Sequence, residues 1–214
     1  MPDRQPVWHL YQRSVDVYDR ERERSLFEGP YLAALTQGLG PGATVLDLGC
    51  GTGEPIAGFL IRQGFRVIGV DAAPAMVARA RQRFPDQDWI TGDLRALDDL
   101  ALPDDLALPH DQGGAGQVKA VLAWDSLFHL EPDDQRAALP AMARRCAPGG
   151  RLLFTSGPSA GEVYGTFNGA RLYHASLDAQ EYRTLLRAAG LTVLRHAVED
   201  PDCGKHTVWL AGRS

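Results

Sequence analysis

Residues 45–55 read VLDLGCGTGEP, an apolar run that leads into a turn containing three glycines. The run is typical of a buried strand, and glycine lets the following backbone adopt positive φ and approach a ligand closely. In a dinucleotide-binding GxGxxG turn, the third glycine allows close packing of helix on strand, but Glu54 occupies that position here. Asp47 and Glu54 also flank the turn with negative charge, which would repel a diphosphate. The turn therefore favours a ligand that carries an ammonium or sulfonium group.

Strand and helix patterns alternate along the chain on the carboxyl-terminal side of this turn. Apolar runs predict strands over residues 43–49, 65–71, 88–93, 118–125 and 151–157. Amphipathic segments predict the helices between them, over 54–64, 74–84 and 132–146. A polar stretch over 97–117 reads as a surface loop, and the segment APGG reads as the turn before the fifth strand. Such alternation predicts a parallel sheet covered by helices.

The two ends of the chain carry further local signals. Asn168-Gly169 between two β-prone runs predicts a hairpin over 162–176. A helix over 178–190 and strands over 191–198 and 206–212 follow. Near the amino terminus, charge density and apolar spacing predict two helices with a break near Gly29 and Pro30.

Composition limits the classes of partner. The 214 residues carry a net charge of −5, and their basic residues are scattered, which gives no electrostatic footprint for nucleic acid. No apolar stretch reaches the length of a membrane span or a signal peptide. We therefore predict a cytoplasmic protein that acts on a small molecule. Cys50, Cys146 and Cys203 are widely spaced, which favours reduced thiols, and no metal site is predicted.

Two carboxylates follow later strands. Asp71 ends the second predicted strand twenty residues after Gly51, where an acid in this topology accepts hydrogen bonds from ribose hydroxyls. Asp93 ends the third strand and could accept from an adenine amino group, with Leu94 against the ring. Open α/β sheets bind ligands at this edge, so the three acids at the ends of the first three strands predict an adenosyl ligand.

The segments VLDLGCGTG, VIGVD, TGDL, AWDSLFHL and APGGRLLFT together resemble the class I S-adenosylmethionine-dependent methyltransferases, over roughly residues 40–214. The resemblance implies an α/β, Rossmann-like three-layer sandwich with a seven-stranded sheet, order 3-2-1-4-5-7-6, in which the seventh strand is antiparallel. It also implies one domain over residues 1–214, with amino-terminal lid helices in 1–40 and a hairpin insertion near 161–175. The implied cofactor is S-adenosyl-L-methionine, with S-adenosyl-L-homocysteine as the product.

The same resemblance assigns the cofactor contacts. It implies that the methionine part is surrounded by Asp47, Gly49, Gly51 and Gly53. Asp71 with Ala72 would hold the ribose, and Asp93 with Leu94 the adenine. Further candidates are Trp124, as an adenine or core contact, and Tyr11, Tyr18 and Arg24 in the lead-in segment that closes over the methionine part.

Other residues are candidates for contact with the acceptor, which is implied to be a small molecule with an O, N or S nucleophile. The candidate catalytic groups are His129, His174 and Asp125, with His129 as a possible general base. The candidate substrate wall consists of Phe128, Tyr173 and His206. The segment AWDS stands where DNA and amide methylating branches carry an Asn-Pro-Pro-Tyr type motif, which disfavours those substrates.

Several alternatives stay open. A noncatalytic domain that binds the cofactor as a sensor or partner subunit would keep the glycines and the carboxylates. An NAD-dependent oxidoreductase is disfavoured by Glu54 at the third-glycine position. Methylation of protein or RNA would require a basic groove, which the sequence does not indicate. The protein is expected to be a monomer or a homodimer.

Overall fold

A computed structural model of the protein describes residues 5–103 and 116–214. Part of the predicted 97–117 loop, residues 104–115, lies outside the described residues. The strands are β1 (Thr44–Leu48), β2 (Arg66–Asp71), β3 (Asp88–Thr91), β4 (Val118–Ala123), β5 (Cys146–Ser156), β6 (Gly161–Phe167), β7 (Ala170–Ser176), β8 (Leu191–Asp200) and β9 (His206–Arg213). The helices are α1 (Trp8–Arg13), α2 (Val15–Glu21), α3 (Gly29–Thr36), α4 (Ile56–Arg62), α5 (Pro74–Arg83), α6 (Pro132–Arg145) and α7 (Ala179–Ala188).

Seven strands form one sheet in the order β3-β2-β1-β4-β5-β9-β8, while β6 and β7 form a separate hairpin. The first five strands of the sheet pair in parallel, and β9 runs antiparallel to both β5 and β8. Counted along the chain without the hairpin, this is the order 3-2-1-4-5-7-6 with an antiparallel seventh strand. The predicted fold class is confirmed.

Two hydrophobic clusters cover the two faces of the sheet. Side chains alternate along a strand, so Val45 packs into one cluster while Leu46 packs into the other. The Leu46 cluster includes residues of α6 and α7, such as Leu139 and Leu186. The Val45 cluster includes residues of α3, α4 and α5. This arrangement gives the three layers expected of the fold. None of the helices within the described ranges has the length and apolar character that crossing a membrane requires.

The amino-terminal helices differ from the prediction of two helices broken near Gly29 and Pro30. Three helices form, and the chain between α2 and α3 is non-helical before Gly29. Pro30 lies in the first turn of α3, where its missing N–H would have no helical partner in any case. The Gly-Pro pair therefore opens a helix instead of interrupting one.

Two β features can be compared with their predictions. The segment APGG was expected to be a turn, but β5 already begins at Cys146, and its pairing with β4 shifts register across this segment. The predicted hairpin forms, with Asn168 at φ +47° and Gly169 at φ +72° in its two-residue turn. The Asn168 amide donates to Ser14 Oγ at 2.9 Å, which ties the hairpin tip to the amino-terminal helices.

Candidate active site

The glycine turn after β1 brings backbone to the end of the sheet. Gly49 has φ +84°, and a Cβ there would lie 2.2 Å from Ser126 Cβ. Gly51 has φ +55°, and a Cβ there would lie 2.9 Å from the Tyr18 hydroxyl. Both positions therefore require glycine for conformation and for space. Gly53 has φ +83°, and a Cβ there would lie 3.2 Å from the rings of Phe84 and Trp89.

Asp71 at the end of β2 is bonded to this turn. Its Oδ2 accepts from the Gly51 N–H at 2.9 Å, and its Oδ1 accepts from the Ala73 N–H at 2.8 Å. Burial raises the pKa of Asp71 to about 6, although these two hydrogen bonds favour the carboxylate. Each carboxylate oxygen keeps a second lone pair that can accept from a ligand hydroxyl.

Asp47 at the end of β1 is 3% exposed. Burial, together with the charge of Asp71, raises the pKa of Asp47 to about 7. It lines a small cavity of about 30 Å³, together with Arg22 and Trp124. Two buried carboxyls with raised pKa values lie here at adjacent strand ends, so a cationic ligand would stabilise their charged forms.

Asp93 follows β3. It accepts from the Arg95 N–H at 2.9 Å and forms an ion pair with the Arg95 guanidinium at 2.5 Å. Burial would raise its pKa, but the bonds from Arg95 lower it. Leu94 is buried beside it. A ligand that bonds to Asp93 must therefore share the carboxylate with Arg95.

A cavity of about 400 Å³ joins these strand ends to the amino-terminal helices, a volume within the ~300–1,000 Å³ range of small-molecule sites. Predicted site residues along its wall are Tyr11, Tyr18, Gly49, Gly51, Asp71, Ala72, Asp93, Leu94, Asp125, His129 and Tyr173. The wall also contains residues that the sequence did not single out, including Trp8, Arg22, Met76, Arg95, Ser126 and Leu130.

His129 lies between the amino-terminal helices and the hairpin. Its Nδ1 is 3.1 Å from the Tyr173 carbonyl, which can only accept, so Nδ1 carries the proton. Burial lowers the pKa of His129 to about 4, so the ring is neutral near pH 7 and Nε2 has a free lone pair. The Tyr11 hydroxyl therefore donates to Nε2 at 3.0 Å. These contacts favour a hydrogen-bond acceptor at Nε2 over the general base suggested by the sequence.

His174 and Phe128 were also candidates for contact with the methyl acceptor. Both pack against His129 and are not part of the cavity wall. The His174 ring stacks on His129 with a centroid distance of 5.0 Å. Phe128 meets both histidine rings edge-on, at 4.9 and 5.1 Å. We therefore expect these two side chains to hold the His129 ring in place without contacting the acceptor.

Asp125 follows β4 and has φ +50°, a left-handed conformation that is uncommon for a residue other than glycine. Its carboxylate lies 3.1 Å from His206 Nε2, and His206 Nδ1 lies 2.9 Å from the Cys203 carbonyl. Since both partners of the ring accept hydrogen bonds, the imidazolium form fits this position. Burial opposes the charge on His206, but the bond to Asp125 raises its pKa. Burial would raise the pKa of Asp125, but the same bond lowers it.

His206 was a candidate for substrate contact, yet it pairs with Asp125 and stacks between Phe27 and Trp124, outside the cavity wall. Trp124 is 3% exposed and belongs to the Val45 cluster, which corresponds to the core alternative of its prediction. Its Nε1 is buried without a hydrogen-bond partner among the described residues.

Of the two arginines near the end of α2, Arg22 lies at the site, whereas the sequence suggested Arg24. Arg24 is exposed and bonds to Asp19. Arg22 borders both cavities and lies 3.8 Å from Asp125 and 3.5 Å from the buried Glu28 carboxylate. The run DRERERS contains both arginines, and its helix ends at Glu21, which sequence spacing did not predict.

Two further expectations concern charge and metal. Glu54, read as part of an anionic rim, forms an ion pair with Arg62 at 3.2 Å, which offsets its charge. The three cysteines are buried free thiols. Across residues 5–103 and 116–214, no group of three or more His, Cys, Asp and Glu side chains is arranged to hold a metal ion.

Comparison with known proteins gives matches in sequence and in structure. A family model described as "Methyltransferase domain" matches residues 45–150. The trans-aconitate 2-methyltransferase of Azoarcus sp. (strain BH72) is 36% identical over 111 residues, which cover 51% of this chain and 37% of that protein. The malonyl-[acyl-carrier protein] O-methyltransferase of Serratia marcescens is 28% identical over 193 residues, covering 87% of this chain and 68% of that protein.

The overall fold has solved counterparts. The 1,6-didemethyltoxoflavin-N1-methyltransferase of Burkholderia thailandensis superimposes with a TM-score of 0.68 at 24% identity, covering 100% of this chain and 92% of that one. Three of the curated relatives are matched over only 37%, 40% and 43% of their own length. Motif order, strand order and these matches agree: residues 45–150 belong to the methyltransferase-domain family, and together the findings support a class I S-adenosylmethionine-dependent methyltransferase.

Proposed function

We propose that this protein transfers the methyl group of S-adenosyl-L-methionine to a small-molecule acceptor. The observation that carries the proposal is the set of carboxylates Asp47, Asp71 and Asp93, which follow three adjacent strands beside the glycine turn and border the two cavities. Carboxyl ends of parallel strands are where open α/β sheets bind their ligands.

The residues at this edge fit the cofactor chemically. Gly49 and Gly51 are part of the cavity wall, so their backbone can lie directly against a ligand. Asp47 and Asp71 are buried acids whose charged forms an ammonium or sulfonium group would stabilise. The Trp124 indole N–H supplies a buried donor that has no partner among the described residues. A ligand that carries cationic groups, hydroxyls and a hydrogen-bond acceptor would pair with these acids and with the indole N–H.

The proposed contacts follow from these positions. Asp71 accepts from the ribose hydroxyls, with Ala72 beside them, and Asp93 and Leu94 hold the adenine. Asp47 faces the methionine ammonium, and Arg22 binds the methionine carboxylate in the role first assigned to Arg24. Guanidinium and carboxylate groups match in geometry, which supports this assignment.

When bound, the cofactor supplies an activated methyl group whose sulfur leaves as a neutral thioether. The protein then has little departing charge to stabilise, so its residues act by alignment and by exclusion of water, and alignment can contribute roughly 7–11 kcal/mol. Tyr11 and Tyr18 lie on the wall opposite the strand ends and belong to the helices that we propose as a lid.

Thermal-shift titration with S-adenosyl-L-homocysteine and with NAD, run in parallel, tests the ligand. We expect stabilisation by the former, and about 10- to 100-fold weaker binding in Asp71→Ala, since charge-assisted hydrogen bonds contribute ~1.5–3 kcal/mol. Asp133→Ala is the control, because it removes an equal charge from a side chain that is 97% exposed. Stabilisation by NAD alone would refute the proposal, and unchanged affinity in Asp71→Ala would refute the ribose contact.

Transfer of a labelled methyl group to candidate acceptors separates an enzyme from a noncatalytic cofactor-binding domain. The cytoplasmic location, the monomeric or homodimeric state and an acceptor other than nucleic acid stay predictions from the sequence.

A further inference from the structure

We infer that the acceptor is a flat aromatic compound whose weakly basic nitrogen, uncharged at neutral pH, attacks the methyl group without a general base. This inference rests on the proposed function and names the substrate class of that site. Three features of the cavity support it: its charge, the state of His129 and its aromatic wall.

Charge is the first feature. Tyr11 and Tyr18 lie in the field of the Asp47, Asp71 and Asp125 carboxylates and of the Arg22 guanidinium. Arg22 already contacts Asp125 and Glu28, and under the proposed function it also binds the methionine carboxylate.

The other cations near the site are also paired. Arg95 is bonded to Asp93, and His206 is bonded to Asp125 outside the cavity wall. Glu131 and Asp134 add negative charge near Arg95. Arg22 and Arg95, the arginines among the described residues of the cavity wall, are therefore already paired, and the surrounding acids repel an anionic acceptor such as a carboxylate.

The state of His129 is the second feature. The Tyr173 carbonyl fixes its proton on Nδ1, so Nε2 can accept a hydrogen bond from an acceptor in place of the Tyr11 hydroxyl. Burial lowers the pKa of His129 to about 4, far below the ~10 of a phenol or an alkylammonium group. The His129 ring is thus too weak a base to remove a proton from either group. The acceptor must bring its own lone pair, which a weakly basic aromatic nitrogen does at neutral pH.

Shape is the third feature. The cavity wall includes the aromatic residues Trp8, Tyr11 and Tyr18, and the Tyr11 ring also packs against His129. Tyr11 and Tyr18 meet edge to face, with a centroid distance of 5.7 Å and an angle of 86°. Rings placed edge to face and at 5 to 6 Å make favourable contacts with a further flat ring.

The step balances without a base. The ring nitrogen lone pair forms the new N–C bond, the S–C bond breaks, and its electron pair stays on sulfur. The positive charge passes from sulfur to the methylated ring, where Asp71 and Asp125 stabilise it. A second ring nitrogen of the acceptor, which carries an N–H, donates to His129 Nε2 and so orients the attacking nitrogen. After transfer, the methylated cationic ring releases that N–H proton to water.

The first test compares two bicyclic probes for binding to the complex with S-adenosyl-L-homocysteine: benzimidazole and 2-naphthoate. We expect benzimidazole to bind about tenfold more tightly than 2-naphthoate, because the naphthoate charge meets like charges. Equal or tighter binding of 2-naphthoate, or no binding of benzimidazole, would overturn the inference. Absence of S-adenosyl-L-homocysteine binding would instead overturn the proposed function, so the two failures are distinguishable.

The second test asks whether His129 acts as a base. In His129→Gln the side-chain carbonyl can still accept a hydrogen bond, so methyl transfer to benzimidazole should fall by at most about tenfold. Loss of a general base would cost about 10²- to 10⁴-fold, and a loss of that size would overturn the inference. His196→Gln is the matched control, because His196 bonds to Arg183, stacks on Trp209 and does not line the cavity.

The wild-type protein gives a check that does not depend on the folding of a variant. Without an enzyme base, the rate of methyl transfer at saturating S-adenosyl-L-methionine should rise with pH as the probe itself loses its proton and should then be constant. The midpoint should move to lower pH for 5-nitrobenzimidazole, which is less basic than benzimidazole. A midpoint that is the same for both probes would assign the titration to the enzyme and contradict the inference.

Discussion

Two regions surround the cavity, and they are held together differently. The strand-end edge, residues 44–94, is joined by hydrogen bonds between residues relatively near in sequence, as in the bond from Gly51 N–H to the Asp71 carboxylate. The cover, which consists of α1, α2 and the β6–β7 hairpin, is joined by side chains far apart in sequence. Tyr11 bonds to His129, and Asn168 bonds to Ser14. Substitutions in the edge should therefore cost stability of the fold, while those in the cover should mainly cost closure of the site.

The largest expected effect is at Gly49 in the edge. Gly49→Ala should lower the free energy of unfolding by about 2–5 kcal/mol, since positive φ costs ~1–2 kcal/mol and overpacking ~1–3 kcal/mol. The collision would be with Ser126. Urea denaturation measures the loss.

Gly38→Ala is the matched control. Gly38 has φ +86°, nearly that of Gly49, but no atom lies within 4 Å of its added Cβ. It should lose only the conformational contribution, ~1–2 kcal/mol. Equal losses in the two variants would show that the close approach to Ser126 is not part of the edge's stability.

A pH effect should be intermediate in size and should also belong to the edge. Asp47 has a pKa of about 7 without ligand, and a cationic ligand favours its carboxylate. Affinity for S-adenosyl-L-methionine should therefore rise with pH toward about 7, by at most about tenfold per pH unit for each such group. Calorimetric titration of the wild type against Asp47→Asn measures this, and a variant that keeps the same slope would contradict it.

The ligand-free protein should show the opposite dependence. Since the folded-state pKa of Asp47 lies above its ordinary value of 3.8, its protonated form is favoured by folding. This contribution is full below about pH 4 and is lost as pH rises through about 7. Above pH 7, Asp47→Asn should therefore be more stable than the wild type without ligand, while binding the cofactor more weakly.

The smallest effect is expected in the cover, at Asp19 of α2. Its carboxylate accepts from Arg83 at 2.7 Å, Arg79 at 3.1 Å and Thr52 at 2.9 Å, which joins α2 to α5 and to the glycine turn. Asp19→Ala should weaken S-adenosyl-L-homocysteine binding by about two- to fivefold, the range for a partly exposed ion-pair network.

Acid titration separates Asp19 from its neighbour Asp16. The hydrogen bond from Arg83, partly opposed by burial, lowers the pKa of Asp19 to about 2, so its stabilisation is present above about pH 4 and is lost as pH falls through about 2. In Asp19→Ala, the free energy of unfolding should fall less than in the wild type as pH falls through this range. Asp16 is 78% exposed and bonds to Arg79, so Asp16→Ala is the control and should keep it. Identical acid curves for Asp19→Ala and the wild type would argue against the role of Asp19.

The same contrast explains what sequence could predict. The glycine turn and the acids Asp47, Asp71 and Asp93 are local signals, because each lies at a recognisable strand end, whereas the strand order was implied by the family resemblance. The pairing of His206 with Asp125 was missed, since it joins residues 81 positions apart. Arg22 was passed over for Arg24 because their roles depend on where α2 ends. A sequence pattern that predicts a helix or a strand does not predict which side chain of the cover faces the cavity.

The position of Trp8 has a practical consequence. Of the four tryptophans, Trp89, Trp124 and Trp209 are buried in the core, whereas Trp8 lies on the cavity wall. Indole emission depends on the surroundings of the ring, so a ligand that enters the cavity changes the fluorescence of Trp8, while Trp89 and Trp209, which line neither cavity, serve as an internal reference. The protein thus carries its own optical reporter of ligand entry.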